Sequence, residues 1–423
     1  MTERDRNLDP SDRRDAPPDP ESGAPLDVPV AFGVDEAVQA PPPGAAVAAP
    51  PSRPGPLSYL LAIVLPGVPQ LRTGRTGLGV VLLLTWLVVI GVVVLAWERI
   101  VAVTGTGSLD DQVAVATLAV LVLVAWFVGI RDLRRPAETG AGDSQWSIAA
   151  RHFRKNRVAV VGLGVIALFY LIAMIAPLIA PYDPIAQQDI ARTSFLPPSS
   201  EHWLGTDRFG RDVLSRILYG ARISLSIAFV ATAISITLGT LIGAIAGYAG
   251  GKVDTMLMRF TDMVLAFPRL VLLIMIVALF SPSIAVIITV LGLTQWPSTT
   301  RIVRGDVLSL REREFVQAAR ALGFSSRRIL LRHLIPNVLA PVIVAATLGI
   351  GNTIVLEAGL SFLGLGVSAP TPTWGNMVNE GRDNLLGAWW LATFPGLTIV
   401  FVVLAFNLVG DGLRDALDPR LRS

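Results

Sequence analysis

Beyond residue 76 the chain alternates between long apolar runs and short polar segments, and that alternation predicts its elements. A helix needs about 20 consecutive apolar residues to cross a bilayer, where only helices and closed barrels satisfy their own backbone groups. Gly77 to Trp97 meets that length, and the shorter Val113 to Ile130 is read with it as a second crossing. Val158 to Ala180 is a clean span closed by Pro181-Tyr182-Asp183-Pro184. Ile223 to Tyr248, Met258 to Phe280, Ser283 to Thr299, Val338 to Glu357 and Ala388 to Val409 follow as further spans. Leu57 to Leu71 is apolar but short, and Pro66 and Pro69 interrupt it, so it is read as an interfacial or re-entrant piece. The fold class is therefore all-α, a polytopic membrane protein with six core crossings and a two-helix extension in front.

Basic residues orient these spans, because arginine and lysine accumulate on the cytoplasmic side. Arg72 and Arg75 precede the front pair and Arg131, Arg134 and Arg135 follow it, whereas its connector holds Glu98, Arg99, Asp110 and Asp111 without basic excess. Eight crossings in all place both termini in the cytoplasm, in agreement with Arg414, Arg420 and Arg422 at the end. Gln145 to Arg157 is amphipathic, with Trp146, Ile148 and Phe153 against Arg151, Arg154, Lys155 and Arg157, and should lie on lipid at the inner surface. Gly239, Gly243 and Gly247 make one smooth helix face for a close neighbour. Four regions result: a Pro/Ala-rich cytoplasmic tail at 1–56 too polar to bury a core, an accessory membrane hairpin at 57–136, a segment at 145–222 with the first core span and an external loop, and the main transmembrane domain at 223–415. The front hairpin is either a regulatory or assembly attachment or a tolerated extension.

Composition narrows the chemistry. Of 423 residues 52% are hydrophobic and 16% charged, and the net charge is only +3, so the basic residues serve orientation rather than nucleic-acid binding. Cysteine is absent, which removes disulfides, thiol catalysis and thiolate metal sites. His152, His202 and His333 lack metal-ligand spacing, and no metal site is expected. Gly251-Lys252 is followed by Val253 and has no phosphate-cradling loop around it, and no nucleophile–base or paired-carboxylate arrangement points to an enzyme.

The loop around 312–337 stands apart. Arg311, Arg313, Arg320, Arg327, Arg328 and Arg332 mark it as cytoplasmic, yet Phe315, Ala318, Ala319, Leu322, Ile329 and Leu330 recur at helical spacing, with Gly323 as a break between two short helices. Such a ridge requires something to pack against, which suggests a soluble partner. The text Gln317-Ala318-Ala319-Arg320-Ala321-Leu322-Gly323, followed by His333-Leu334-Ile335-Pro336-Asn337, resembles the EAA loop of ABC-importer permeases. In that family the loop is a coupling helix that docks on a cytoplasmic ATPase, which assigns docking to Gln317, Ala318, Ala319, Gly323 and Pro336. Gln317 stands where the family usually has glutamate, so a salt bridge from that position is not expected.

The resemblance covers roughly residues 146–423. The run 145–180, the text HWLGTDRFGRDVLSRILYGARISL and the run Pro370-Thr371-Pro372-Thr373-Trp374-Gly375-Asn376-Met377 are similar to one permease subunit of dipeptide, oligopeptide and nickel importers. It implies a type I importer permease in a bacterial or archaeal cytoplasmic membrane. It further implies a second related permease, two ATPase subunits carrying ATP and magnesium, and an extracytoplasmic substrate-binding protein; this chain itself would hold no cofactor. Asp207, Arg208, Arg211 and Asp212 would face that binding protein or form internal ion pairs. Asp262 and Arg269, seven residues apart on one helix face, and Glu357 are candidates for the path or its gate, Glu357 alternatively steadying an irregular glycine-rich turn. Pro268 should kink or interrupt its span, and Trp374, Trp389 and Trp390 suit an outer aromatic belt. Substrate identity among peptides, nickel chelates and related solutes stays open. A secondary transporter or a non-transporting membrane scaffold are the alternatives; the first should show repeats with broken helices, which the sequence does not reveal, and leaves the central loop unexplained, whereas a scaffold could carry such a loop without a pore.

Overall fold

A computed structural model describes residues 76–95, 145–187, 189–280 and 283–418, together with Val68, Leu71 and Ala119. The proposed tail at 1–56, the piece at 57–71 and the crossing at 113–130 lie outside these stretches except for those single positions. Of the front hairpin, α1 (Thr76–Leu95) is helical, in keeping with the expected span 77–97.

The elements that follow are helical. A surface helix α2 (Gln145–Lys155) leads through Asn156, whose side chain caps the next helix, into α3 (Arg157–Ile179). A one-turn helix α4 (Ile190–Thr193) sits in the external loop. Then come α5 (Val213–Ala249), α6 (Gly251–Leu265), α7 (Arg269–Leu279) and α8 (Ile284–Leu310). The central loop holds α9 (Glu314–Ala321) and α10 (Ser326–Ile329), which runs through a π-helical turn, Leu330–Leu334, into α11 (Ile335–Phe362). A short α12 (Trp374–Arg382) precedes α13 (Trp390–Leu417).

Among the described residues, α3, α5, the continuous helix Ser326–Phe362 and α13 are long and apolar enough to cross a membrane, and α6 with α7 makes a fifth candidate if the pair counts as one span. The run expected at 283–299 is the first part of α8, which falls short of that test because Thr294, Gln295, Thr299, Thr300 and Arg301 interrupt it. Its polar side faces protein. Gly239, Gly243 and Gly247 of α5 lie against Thr299, Thr300, Val303, Arg304 and Val307 of α8, so closely that an added Cβ would meet Thr300 O at 2.6 Å and Arg304 O at 2.9 Å. The predicted smooth face is thus filled by α8.

Two expectations are corrected. Asp262 and Arg269 do not share one helix face: the chain bends by 79° between α6 and α7, where Pro268 precedes the new helix and offers no N–H to continue the old one. Nor does the loop expected before residue 223 run that far, for Val213 to Leu218 is helical. That run is the start of α5, capped by Asp212, because the arginines that would otherwise interrupt an apolar helix are neutralised from outside it.

Among the described residues, three of the buried clusters tie the length of the bundle together. One joins α5, α7, α8 and α11 through Ile227, Leu273, Leu291 and Leu360. A second joins α3, α5, α11, α12 and α13 through Ala173, Leu225, Ile354, Trp374 and Phe406. The third unites neighbouring ends of α5, α8 and α11 with α9 and α10, through Ala244, Val307, Val338, Val316 and Ile329.

Candidate functional site

The central loop is folded rather than pendent. Val316 and Ala319 of α9 are fully enclosed in the third cluster, anchoring that helix on the ends of α5, α8 and α11. Its opposite side is bare: Phe315 is 43% and Leu322 74% exposed, with Ala318 open between them. The expected single ridge therefore splits: Val316 and Ala319 turn inward together with Ile329 of α10, while Phe315, Ala318 and Leu322 turn outward. The helix stops at Gly323, whose φ of +75° a side chain would strain. Phe324 N–H donates to Ala319 O and Gly323 N–H to Arg320 O, the paired bonds of a glycine-terminated helix. Ser325 then caps α10 by accepting from Arg328 N–H.

Gln317 is exposed and its amide donates to Glu312 O at 3.1 Å, so it closes the entry to α9 without forming a salt bridge. Pro336, also exposed, stands just past the π-helical turn Leu330–Leu334, inside the continuous helix Ser326–Phe362. Beside them Ser325, Arg327, Arg328, Leu331 and Arg332 line an open recess of about 390 Å³. Asp254 of α6 receives both prongs of Arg304 at 2.5 and 2.6 Å, binding the start of α6 to α8 just above this loop. That pair escaped the sequence reading because fifty residues separate its members.

On the external side the four candidates divide. Asp207, Arg211 and Asp212 are buried, and only Arg208 is exposed. An outward charged rim formed by all four is therefore corrected to the internal alternative. Asp207 accepts from Arg211 Nε at 2.7 Å and from Arg216, which also forks onto Glu380 of α12 at 2.6 and 3.0 Å. Burial alone would push the Glu380 carboxyl up, but the Arg216 hydrogen bond and the charges of Arg216, Arg211 and Arg208 outweigh it and hold the group below its ordinary value. Asp212 caps α5 and meets His202 Nδ1 at 2.9 Å, with the Tyr182 ring beside the imidazole. Arg216 and Glu380 were missed. The i, i+4 spacing of Asp212 and Arg216 hints at a pair, yet Asp212 is spent on the cap and Arg216 reaches 164 residues along the chain instead.

The tryptophans are corrected likewise. Trp374 and Trp390 are buried and donate to Ile217 O and Thr206 O, so they pin α12 to the start of α5 and α13 to the loop before it, and of the three only Trp389 is exposed enough to suit an interfacial belt. Glu357 is also enclosed. It lies within α11, which continues to Phe362, and accepts from Ser361 Oγ at 2.8 Å beneath the first turn of α12. It steadies that junction. Asp262 forms an exposed pair with Arg301 at 2.6 Å, while half-buried Arg269 donates to Gln295 Oε1 at 2.9 Å.

Comparison with known families resolves what this architecture is. Residues 239–423 match the family described as binding-protein-dependent transport system inner membrane component, and residues 144–198 match the N-terminal TM domain of oligopeptide transport permease C. The dipeptide transport system permease protein DppC of Alkalihalophilus pseudofirmus is 45% identical over 288 residues, covering 68% of this chain and 94% of that protein. This chain belongs to the ABC-importer permeases. The oligopeptide transport system permease protein OppC of Bacillus subtilis is 39% identical over 305 residues, covering 69% of the permease described here and 98% of its own length. A chain of the inward-facing MetNI methionine ABC transporter aligns with 17% identity and a TM-score of 0.41, over 48% of the permease and 96% of that chain. The permease is accordingly a multi-pass inner-membrane transport subunit rather than an enzyme, and ATP hydrolysis belongs to a separate subunit of its system. An ATPase and a substrate-binding protein are its general partners.

Proposed function

We propose that the permease forms half of the translocation pathway of an ATP-driven peptide importer, alongside a second related permease. Two ATPase subunits, carrying the ATP and magnesium, dock on α9, and an extracytoplasmic binding protein delivers peptide to the face bearing Arg208. The names of the dipeptide and oligopeptide permease relatives support the substrate class.

The single observation that carries this reading is the two-sided α9. Its outer stripe of Phe315, Ala318 and Leu322 is bare, while its inner Val316 and Ala319 are locked among the ends of α5, α8 and α11. A partner that moves against the outer stripe moves those three helix ends with it, because a packed core transmits displacement instead of absorbing it. The two permeases then rock between outward and inward openings as the ATPases close and separate. The packing of α2 and the start of α3 against the last turns of α13, where Phe153 and Ala159 approach Gly412, fits a reading in which these two ends share one side of the membrane.

Co-purification from native membranes tests the docking. Ala318→Arg and Leu322→Arg place charge and bulk on the bare side, where no neighbour in this chain is disturbed, and both should lose the ATPase subunits while eluting as folded permease. ATPase that stays with both variants, or never accompanies the wild type, defeats the assignment and leaves a scaffold as the better reading.

A further inference from the structure

Arginines drawn into the packing elsewhere in this permease meet carboxylates: Arg211 and Arg216 share Asp207 and Glu380, and Arg304 forks onto Asp254. Arg269 does not. Its described contact is with a neutral amide, Gln295 Oε1, and its Nε is buried with no acceptor at all. Gln295 is itself held in one orientation, because its Oε1 also accepts from Thr353 Oγ1 at 3.0 Å and its Nε2 points to Gly349 O at 3.5 Å. Thr353 in turn lies 3.1 Å from Thr232. A relay from α5 through α11 and α8 therefore aims the guanidinium without neutralising it.

The placement adds to this. Arg269 is the first residue of α7, at the 79° bend that interrupts the span, and no side chain caps that helix start. Backbone N–H groups left open in a first turn reinforce the positive potential of the guanidinium. A half-buried cation in a membrane domain is expensive without an anion, and among the described residues no carboxylate supplies one.

We propose that Arg269 is a carboxylate-binding station on the translocation path, receiving the C-terminal α-carboxylate of the peptide in transit. The proposal rests on the peptide-import reading above. Every unmodified peptide carries that carboxylate whatever its side chains, so one fixed cation serves a sequence-tolerant importer. The guanidinium fork suits the two carboxylate oxygens, and a charge-assisted, bidentate contact is stronger than the amide contact it supplements. The ion pair forms and dissolves without covalent change, and the retained Gln295 contact keeps the side chain aimed between passages.

The test uses the complete importer in proteoliposomes, with saturating binding protein loaded with a dipeptide or with its C-terminal amide. Uptake per ATP hydrolysed is measured for wild type, Arg269→Gln and Arg269→Lys. For the free-carboxylate peptide, Arg269→Gln should lower uptake per ATP roughly tenfold and Arg269→Lys should restore part of it. The amide, where transported, should be unaffected, and ATP hydrolysis stimulated by the loaded binding protein should remain in all three. Equal losses for both peptides, a loss of stimulated hydrolysis in Arg269→Gln, or no change in either substrate overturns the station while leaving the importer intact. Wild-type importer that moves neither peptide removes the peptide reading, and the station with it.

Discussion

Removing Glu380 should open the external loop from the inside. Glu380 and Asp207 between them balance Arg211 and Arg216, in a cluster where both arginines and Asp207 have only 2% of their side chains exposed and Glu380 18%. Glu380→Ala leaves two buried guanidinium groups facing one carboxylate. Breaking a buried ion pair from one side costs about 3–5 kcal/mol, because the remaining charge is stranded. The amides that report this are already in place: Phe195 N–H bonds Asp207 O, Thr206 N–H bonds Leu196 O, and Asp207 N–H bonds Arg211 O. Hydrogen exchange at those amides, read by mass spectrometry on the reconstituted permease, should accelerate by roughly a hundredfold to a few thousandfold, the equivalent of that cost at about 1.4 kcal/mol per decade. Acid should do the same to the wild type. A carboxyl held below its ordinary value stabilises the folded loop at every pH above the unfolded value, about 4.3 for glutamate, and loses that contribution as pH falls through the depressed value. Protection, corrected for intrinsic exchange, should thus hold level from neutrality to about pH 5 and decline below it, with Glu380→Gln lacking its share of that decline. An acceleration under tenfold in Glu380→Ala at neutral pH would refute the view that charge balance holds this loop.

Two further substitutions separate close packing from backbone strain. Gly243→Ala puts a Cβ 2.6 Å from Thr300 O and 3.0 Å from Val303 Cβ, and should destabilise the α5–α8 pair by about 1–3 kcal/mol, seen as a lower thermal midpoint of the purified permease. Gly305→Ala, which faces open space on α8, should not lower it. At the end of α9, Gly323→Ala should populate the turn roughly five- to thirtyfold less and weaken ATPase retention, whereas Gly323→Asn, better suited to φ of +75°, should retain more. Equal losses for the two would mean that bulk, not backbone conformation, governs the site.

The membrane class and the main helices were legible in the amino-acid order. Each depends on periodic or local information: apolar length for α3, α5, α11 and α13, and Gly323 for the stop after α9. The glycine spacing at 239, 243 and 247 even announced a close neighbour, though not that α8 would be it. Tertiary structure decided what each charge is for. Asp207, Arg211 and Asp212 read equally as an outer rim or as internal ion pairs until Arg216 and the distant Glu380 enclosed the cluster. Trp374 and Trp390 read as interfacial until their ring N–H groups found backbone carbonyls of the outer loop and α5. Asp262 and Arg269 read as sharing one helix face until a 79° bend parted them, one meeting Arg301 and the other Gln295. The reason is common to all three. An apolar run specifies its own helix through the cost of exposed backbone in lipid, whereas a buried charge is specified by its partner, and partners meet only when the chain has folded.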